Sequence, residues 1–267
     1  MENRSTIAVI NQKGGVGKTT TVINLATALS ILGQNNLIID LDPQGNATTG
    51  LGRSNNDEEN NIYNLLIGKI ELRDAIQKTD IKNLDIIGSN VNLSGLEVET
   101  ANDSDRAFVL KKILDDRKNN ALSNYDNIFI DCPPSLSLLT IMALVASNEI
   151  LVPLQTEFFA LEGITQLVKN IDRIKVNLNP NLKVRGILLT MFDKRNKLSS
   201  QVDKEARNYF KEKVYETVIP RNVRLSEAPS HGMPCVVYDK TCEGSKSYFK
   251  LAEEFLVKKN PNVESAA

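Results

Sequence analysis

The residues best suited to chemistry lie near the start of the chain, in a glycine-rich turn that carries two lysines and two threonines. The turn reads Lys13-Gly14-Gly15-Val16-Gly17-Lys18-Thr19-Thr20 and follows the short apolar run Ile7–Ile10. Glycines let backbone N–H groups approach an anion closely, and a helix N-terminus carries partial positive charge. We therefore predict a phosphate loop in which Lys18 contacts the β- and γ-phosphates, Thr19 ligates Mg²⁺ and Thr20 reaches the α-phosphate. The alternative, a strand-to-helix turn with two solvated lysines, fits the order of elements less well.

Carboxylates follow two further apolar runs. Asp131 closes one of them, after Ile130, and has the form of an aspartate that holds Mg²⁺ through a water. Asp40 and Asp42 end the other run and stand two residues apart, so in an extended segment both side chains face the same way. Because the carboxyl ends of parallel strands meet at one crevice, these carboxylates can point at the nucleotide. A turn-capping pair before Pro43 is the alternative for Asp40 and Asp42.

The elements that must position these residues are short β-branched runs that alternate with longer helical patterns. This alternation is typical of βαβ units, so we predict a doubly wound α/β fold: a mostly parallel sheet with helices on both faces. We expect a single domain over residues 1–267, with a first helix over Thr19–Leu32. The polar stretch 53–61 is predicted to be a mobile loop and residues 260–267 a frayed tail. The predicted strands are Ile7–Ile10, Leu37–Asp40, Leu84–Ile87, Ile128–Asp131, Glu149–Pro153, Val184–Leu189 and Val214–Ile219.

Composition excludes several classes of protein. With 41% hydrophobic residues in 267, the chain can fill a sizeable core, and its net charge of −1 requires any nucleic-acid contact to come from a local basic patch. The cysteines, Cys132, Cys235 and Cys242, are odd in number and accompany a single histidine, which fits neither a disulfide framework nor a metal–sulfur site. We expect neither a signal peptide nor a membrane span, because no basic segment followed by a long apolar one and no sufficiently long apolar run occurs in the sequence, and we therefore expect a cytoplasmic protein.

The loop departs from the general phosphate-loop pattern in an informative way. Gln12 stands where the first glycine is expected, and Lys13 is an additional lysine. This form resembles the deviant Walker A box of the ParA/MinD class of ATPases, in which the extra lysine crosses a dimer interface to the partner's phosphates. The resemblance implies ATP and Mg²⁺ as ligands and an ATP-dependent homodimer, with Lys13 and Lys18 acting in catalysis. The block around Asp40 resembles that family's switch region, which implies that Asp42 positions the attacking water and Asp40 contributes to the Mg²⁺ environment.

Two later blocks, Thr190–Asp193 and Val218–Ser230, resemble the chromosomal, Soj-type ParA partition ATPases. The resemblance implies that Pro220 and Asn222 hold adenine, by ring packing and amide pairing. It also implies that the ATP-bound dimer binds DNA without sequence preference, through Arg195, Arg221 and Arg224, which taken alone could equally be solvated charges. Slow intrinsic hydrolysis, stimulation by a ParB/Spo0J-type centromere-binding partner and association with the nucleoid follow from the same resemblance.

Two other functions remain open at this stage. A MinD-like regulator of division-site placement would bind membrane through a C-terminal amphipathic helix, and the segment Tyr248–Lys259 carries apolar residues at helical spacing. A helix that packs on the domain explains the same spacing. An iron–sulfur carrier or reductase would need cysteines paired across a dimer, and the three cysteines of this chain lack that arrangement.

Overall fold

The structure is a computed structural model that describes residues 4–116, 120–157 and 160–259. Within these ranges the chain forms one seven-stranded sheet and twelve α-helices. The strands are β1 Ser5–Val9, β2 Asn36–Asp40, β3 Gln77–Lys78, β4 Leu84–Ile87, β5 Asn127–Asp131, β6 Glu149–Gln155 and β7 Lys183–Thr190. The helices are α1 Lys18–Ile31, α2 Asn46–Gly50, α3 Ile62–Leu66, α4 Leu72–Ala75, α5 Leu96–Glu99, α6 Val109–Asp115, α7 Leu138–Ala146, α8 Ala160–Asn177, α9 Lys197–Phe210, α10 Val223–Glu227, α11 Cys235–Tyr238 and α12 Glu243–Lys259.

The strands lie in the order β3-β4-β2-β5-β1-β6-β7, and every pairing is parallel except that of β3 with β4. Six predicted strands and the predicted first helix are confirmed to within two residues at each end. The sheet places β1, which leads into the glycine-rich loop, directly beside β5, which ends in Asp131. Because the sheet is parallel here, the loop and this carboxylate emerge at the same edge.

Alternating side chains of the central strands build a core on each face of the sheet. Ile7 and Phe129 face one side, where α1 and α12 cover them, and Ala8 and Ile130 face the other, beneath α7 and α8. This is the period of two that a strand imposes on its side chains. These strands contain runs that are apolar at every position because they are buried on both faces. The predicted doubly wound arrangement is therefore confirmed.

The predicted seventh strand over Val214–Ile219 is wrong. Only isolated bridges join this part of the chain to β7 and the residues after it, through Val214 and Pro220. Between these points the backbone N–H groups of Glu216 and Thr217 donate to the carboxylate of Glu254 on α12, at 2.8 and 3.0 Å. A side chain of a distant helix thus accepts hydrogen bonds from backbone N–H groups that pairing with a neighbouring strand would need. Conversely, β3 is a strand of two polar residues that no apolar alternation announces.

The polar stretch 53–61 is held by side chains from outside it as well as its own. Nε2 of Gln77 donates to the side chain of Asp57 at 3.0 Å, and Nδ2 of Asn90 donates to the carbonyl oxygen of Asp57 at 3.0 Å. The mobility expected for this stretch stays a prediction. The predicted frayed tail, residues 260–267, lies outside the described residues.

The last helix turns its apolar side inward. Tyr248, Leu251 and Phe255 of α12 are all buried, and the hydroxyl of Tyr248 lies 3.2 Å from that of Thr21 on α1. The apolar spacing that could have indicated a membrane-binding helix is therefore used for packing on α1. Among the described residues, no helix combines the length and the apolar character needed to cross a membrane.

Candidate active site

The glycine-rich loop leaves β1 and turns into α1 with the backbone that its glycines allow. Gly15 and Gly17 have φ angles of 74° and 88°, at which any residue with a side chain would be strained. Gly17 is the N-cap of α1. Oγ1 of Thr190, at the end of β7, donates to the carbonyl oxygen of Val16 at 2.9 Å. The loop is thereby fixed to a strand on the far side of β6, with the first N–H groups of a 14-residue helix at its end.

The two lysines of the loop have different environments. Lys18 is only 7% exposed, and its Nζ donates to the carbonyl oxygen of Lys13 at 3.3 Å. Burial lowers the pKa of Lys18, an effect that nearby Asp131 opposes. The side chain of Lys13 is 53% exposed and forms an ion pair with Glu157, just after β6. One lysine therefore lines the loop, whereas the other faces outward.

Asp131 has the features of a magnesium-binding carboxylate. It is fully buried, and its Oδ2 accepts a hydrogen bond from Oγ1 of Thr19 at 2.7 Å. Its Oδ1 is buried without any hydrogen-bond partner, which is costly unless a ligand supplies the missing interaction. Burial, followed by the charge of Asp40, raises the pKa of Asp131 well above its ordinary value. A hydroxyl and an unpartnered carboxylate oxygen side by side form a donor set that suits Mg²⁺.

Asp40 and Asp42 differ in how many hydrogen bonds their carboxylates accept from the rest of the chain. Asp40 is the register partner of Asp131 on the neighbouring strand, and it accepts hydrogen bonds from the N–H of Asp42 and from both the N–H and Oγ1 of Thr48. Burial raises its pKa to about 6. Asp42 is 8% exposed, and one oxygen accepts the N–H of Gln44 at 3.0 Å. Asp40 thus anchors α2, as the capping alternative expects, and its predicted contribution to the Mg²⁺ environment stays a prediction.

The residues predicted to hold adenine follow the same edge of the sheet. Pro220 is half-buried and pairs with Phe192, two residues after Thr190. Oδ1 of Asn222 accepts the N–H of Arg224 at 2.9 Å and caps α10, so its amide nitrogen is the part of the side chain that could address a base. Their role in base binding stays a prediction.

The predicted DNA-binding arginines lie on the surface near the β7 edge, and the structure brings two of them together. Arg195 and Arg221 both line a groove of about 800 Å³ that also contains Lys194 and Lys250. Arg195, 90% exposed, forms an ion pair with Asp193 at 3.0 Å, and Arg195 and Arg221 both lower the pKa of that carboxyl. This groove carries acidic side chains as well, so its positive charge is partly neutralised within the chain.

Arg224 lies on the neighbouring helix α10 and has acidic partners of its own. Its Nη1 is 2.6 Å from Glu227 and its Nε is 3.5 Å from Asp239. The hydroxyl of Tyr238 also donates to Glu227, at 3.1 Å. The salt-bridge alternative for an isolated arginine is therefore present at both Arg195 and Arg224.

Several residues that contact the loop or its carboxylates are not predicted by the sequence pattern. Glu157 and Thr190 contact the loop from more than 130 positions away, and Thr48 binds Asp40 through a helix of only five residues. Nδ2 of Asn11 also braces the loop, by donating to the carbonyl oxygen of Pro153 at 2.8 Å. Asn11, directly before the loop, was the one that spacing could have suggested.

Among the described residues, no group of three His, Cys, Asp or Glu side chains could hold a metal ion. A site with few protein ligands is typical of Mg²⁺, which retains waters and binds phosphate oxygens. Fold, loop and carboxylates together define a P-loop nucleotide-binding protein of the ParA/MinD type.

Known proteins agree with this class and narrow it. The family described as an AAA domain matches residues 4–184. The chromosome partitioning protein ParA of Caulobacter vibrioides is 48% identical over 261 residues, 98% of this chain and 97% of the relative. The chromosome-partitioning ATPase Soj of Treponema pallidum is 47% identical, over 95% and 97%. A structure titled cobyrinic acid a,c-diamide synthase from Mycobacterium smegmatis, with bound ATP analog and magnesium, superposes with a TM-score of 0.81 at 31% identity, covering 95% of each chain. The chain belongs to the ParA/Soj family of chromosome-partitioning ATPases.

Proposed function

We propose that this chain is an ATP-driven partitioning switch: an ATP-bound dimer that holds DNA and is released by hydrolysis. The observation that carries the proposal is the contrast between the two loop lysines. Lys18 is buried beside the carboxylates, whereas the side chain of Lys13 is 53% exposed. A lysine directed outward from a phosphate loop contributes little to its own site, but it can reach the phosphates held by a second copy of the chain.

The residues on the inner side of the loop bind and orient the nucleotide. The N–H groups at the start of α1 and Lys18 hold the phosphates, while Thr19 and Asp131 hold Mg²⁺, whose charge offsets that of the phosphate oxygens. Asp42 orients the attacking water. Hydrogen bonds through Asp40 and Thr48 connect its turn to the backbone of Ser89. Loss of the γ-phosphate removes a contact of this turn and so alters the segment.

The arginines of the groove and of α10 bind DNA phosphates without reading bases. A dimer presents this surface twice, so two weak patches act together with a high effective concentration. A ParB-type partner accelerates hydrolysis and converts DNA release into directed movement, and the protein is nucleoid-associated while dimeric.

The test is retention of the full chain on non-specific DNA with and without ATP and Mg²⁺. We expect strong retention with ATP and weak retention without it. Arg224→Ala should reduce retention, whereas Arg73→Ala, which removes another exposed, ion-paired arginine near the opposite edge of the sheet, should leave it unchanged. Equal retention with and without ATP would rule out the switch, and equal loss in the two variants would rule out the surface.

A further inference from the structure

Two cysteines that the nucleotide site does not use lie side by side. The Sγ atoms of Cys235 and Cys242 are 3.5 Å apart, and both thiols are free. The turn that joins them is built around Asp239, whose Oδ1 accepts the N–H groups of Thr241 and Cys242 at 3.0 and 3.1 Å. A hydrogen-bonded turn thus joins the two cysteines.

The two sulfurs differ in their accessibility to solvent. Cys235 opens α11 and is buried, and burial raises its pKa to about 12. Cys242 precedes α12 and is partly exposed, and its Sγ accepts the N–H of Ser245 at 3.4 Å. The same serine donates its Oγ to the carbonyl oxygen of Cys235 at 2.9 Å. A reagent in solution therefore meets Cys242 first, while Cys235 remains a protonated thiol directly behind it.

We infer that Cys235 and Cys242 form a thiol–disulfide modification site, which a low-molecular-weight disulfide closes reversibly. The thiolate of Cys242 attacks one sulfur of the reagent, forms a mixed disulfide and releases one thiolate. Cys235 then loses its proton to water and attacks Sγ of Cys242, forming the internal S–S bond and releasing the second thiolate, which takes up a proton from solvent. Two protein thiols are oxidised and one reagent disulfide is reduced. The sulfurs need only move from 3.5 Å to the bond length of about 2.05 Å.

The disulfide between Cys235 and Cys242 should also affect DNA binding, an effect that rests on the proposed function. Asp239, between the two cysteines, lies 3.5 Å from Nε of Arg224. A phosphate that binds Arg224 must compete with this carboxylate, and it displaces the carboxylate more easily when only hydrogen bonds hold the turn. The disulfide fixes the turn, keeps Asp239 beside Arg224 and so weakens DNA binding.

The first experiment counts thiols in the folded, full-length protein. The reduced protein is incubated with oxidised glutathione, its free thiols are blocked with N-ethylmaleimide, and peptides are mapped by mass. We expect the Cys235–Cys242 disulfide, with the loss of two hydrogen atoms. Cys132 is an internal control, because it is buried in the core and its Sγ donates to the carbonyl oxygen of Ile130 at 3.7 Å; it should remain free. Cys235→Ser should instead keep glutathione on Cys242. Three free thiols, or a lasting glutathione adduct on the unmodified chain, would overturn the site.

The second experiment measures ATP-dependent DNA retention of the oxidised and reduced forms. Oxidation should lower retention by about two- to fivefold, the size of one exposed ion pair, and dithiothreitol should restore it. Cys242→Ser, which cannot close, should show no change. Unchanged retention by fully oxidised protein, or an equal loss in Cys242→Ser, would overturn the link to Arg224. If the reduced protein retains no DNA at all, the proposed function fails, whereas the thiol count is unaffected.

Discussion

The two candidate binding regions of this molecule handle their charges in opposite ways. At the carboxyl ends of β2 and β5, Asp40 and Asp131 are fully buried register partners, and one oxygen of Asp131 has no partner in its own chain. Near β7, Arg195 and Arg224 are exposed, and both are already paired with acids of their own chain. The first region leaves a buried carboxylate oxygen without a hydrogen-bond partner, whereas the second already holds its counter-ions.

This difference indicates how much free energy each region gains when its ligand binds. A buried carboxylate with one unpartnered oxygen destabilises the free protein, so the fold itself favours a ligand that binds this oxygen. An exposed arginine with an internal partner gains only the difference between two ion pairs when DNA replaces that partner. We therefore expect large effects from substitutions at the first region and small, salt-dependent effects at the second.

The largest effect should come from Asp42→Ala. This substitution removes the carboxylate that we place at the attacking water, and hydrolysis should fall by about a hundredfold or more, while ATP binding is retained. The measurement is phosphate release at saturating ATP, paired with binding of a fluorescent ATP analogue. Asp74→Ala removes an exposed carboxylate on α4 and serves as the control. Normal hydrolysis by Asp42→Ala would place catalysis elsewhere.

A second large effect concerns the stability of the nucleotide-free protein. The pKa of Asp40 is ordinary, near 3.8, in the unfolded chain and is raised to about 6 in the fold, so the folded state binds more protons between these values. Stability contributed by this group is therefore present below pH 4 and is lost as the pH rises to about 6. Each pKa unit corresponds to about 1.4 kcal/mol, which gives a loss of about 3 kcal/mol.

Urea unfolding of the unmodified chain and of Asp40→Asn across this pH range separates the effect from titrating groups that do not interact with Asp40; the contribution of Asp131, whose pKa depends on the charge of Asp40, is measured with it. The free energy of unfolding of the unmodified chain minus that of the variant should decrease from pH 4 to pH 6. A difference that stays constant or increases would show that the hydrogen bonds from Thr48 outweigh burial.

Lys13→Ala tests the outward-facing lysine of the phosphate loop. Because this side chain is exposed, its removal should leave the fold and ATP binding intact but weaken the ATP-dependent dimer by about tenfold or more, the size of a lost charge-assisted contact. Sedimentation velocity with a slowly hydrolysed ATP analogue measures the dimer, with exposed Lys82→Ala as the control. A dimer of undiminished strength in Lys13→Ala would rule out its role across the interface.

The same contrast separates what the sequence could predict from what it could not. The loop, Asp131 and six strands were predictable, because each is encoded in a short window by glycines, a terminal carboxylate or an apolar run. The strand over Val214–Ile219 failed because Glu254, more than 30 residues away, accepts its backbone donors. The ion-pair partners of the arginines could not be predicted for another reason. Exposed pairs such as Arg224 with Glu227 depend on local geometry and do not change the hydrophobic periodicity of the sequence.

Smaller effects are expected at the arginine surface, where salt dependence distinguishes phosphate contacts from structural ones. Arg195→Ala and Arg224→Ala should each reduce the slope of log binding constant against log salt concentration by about one. Titration of ATP-bound protein with labelled DNA at several salt concentrations gives that slope, and Arg73→Ala provides the comparison. A variant that weakens binding at every salt concentration with an unchanged slope would have lost structure and not a phosphate contact.

The smallest and most discriminating effect should come from Glu227→Gln, which removes an internal competitor of DNA. Glutamine keeps an oxygen for the hydroxyl of Tyr238, so the local structure is retained while the charge beside Arg224 is lost. Binding to DNA should therefore strengthen, by about twofold, in proportion to an exposed ion pair. Glu71→Gln removes the partner of Arg73 and should change nothing. Weaker DNA binding by Glu227→Gln would mean that Glu227 orients Arg224 for phosphate, and the surface would then be as preorganised as the nucleotide site.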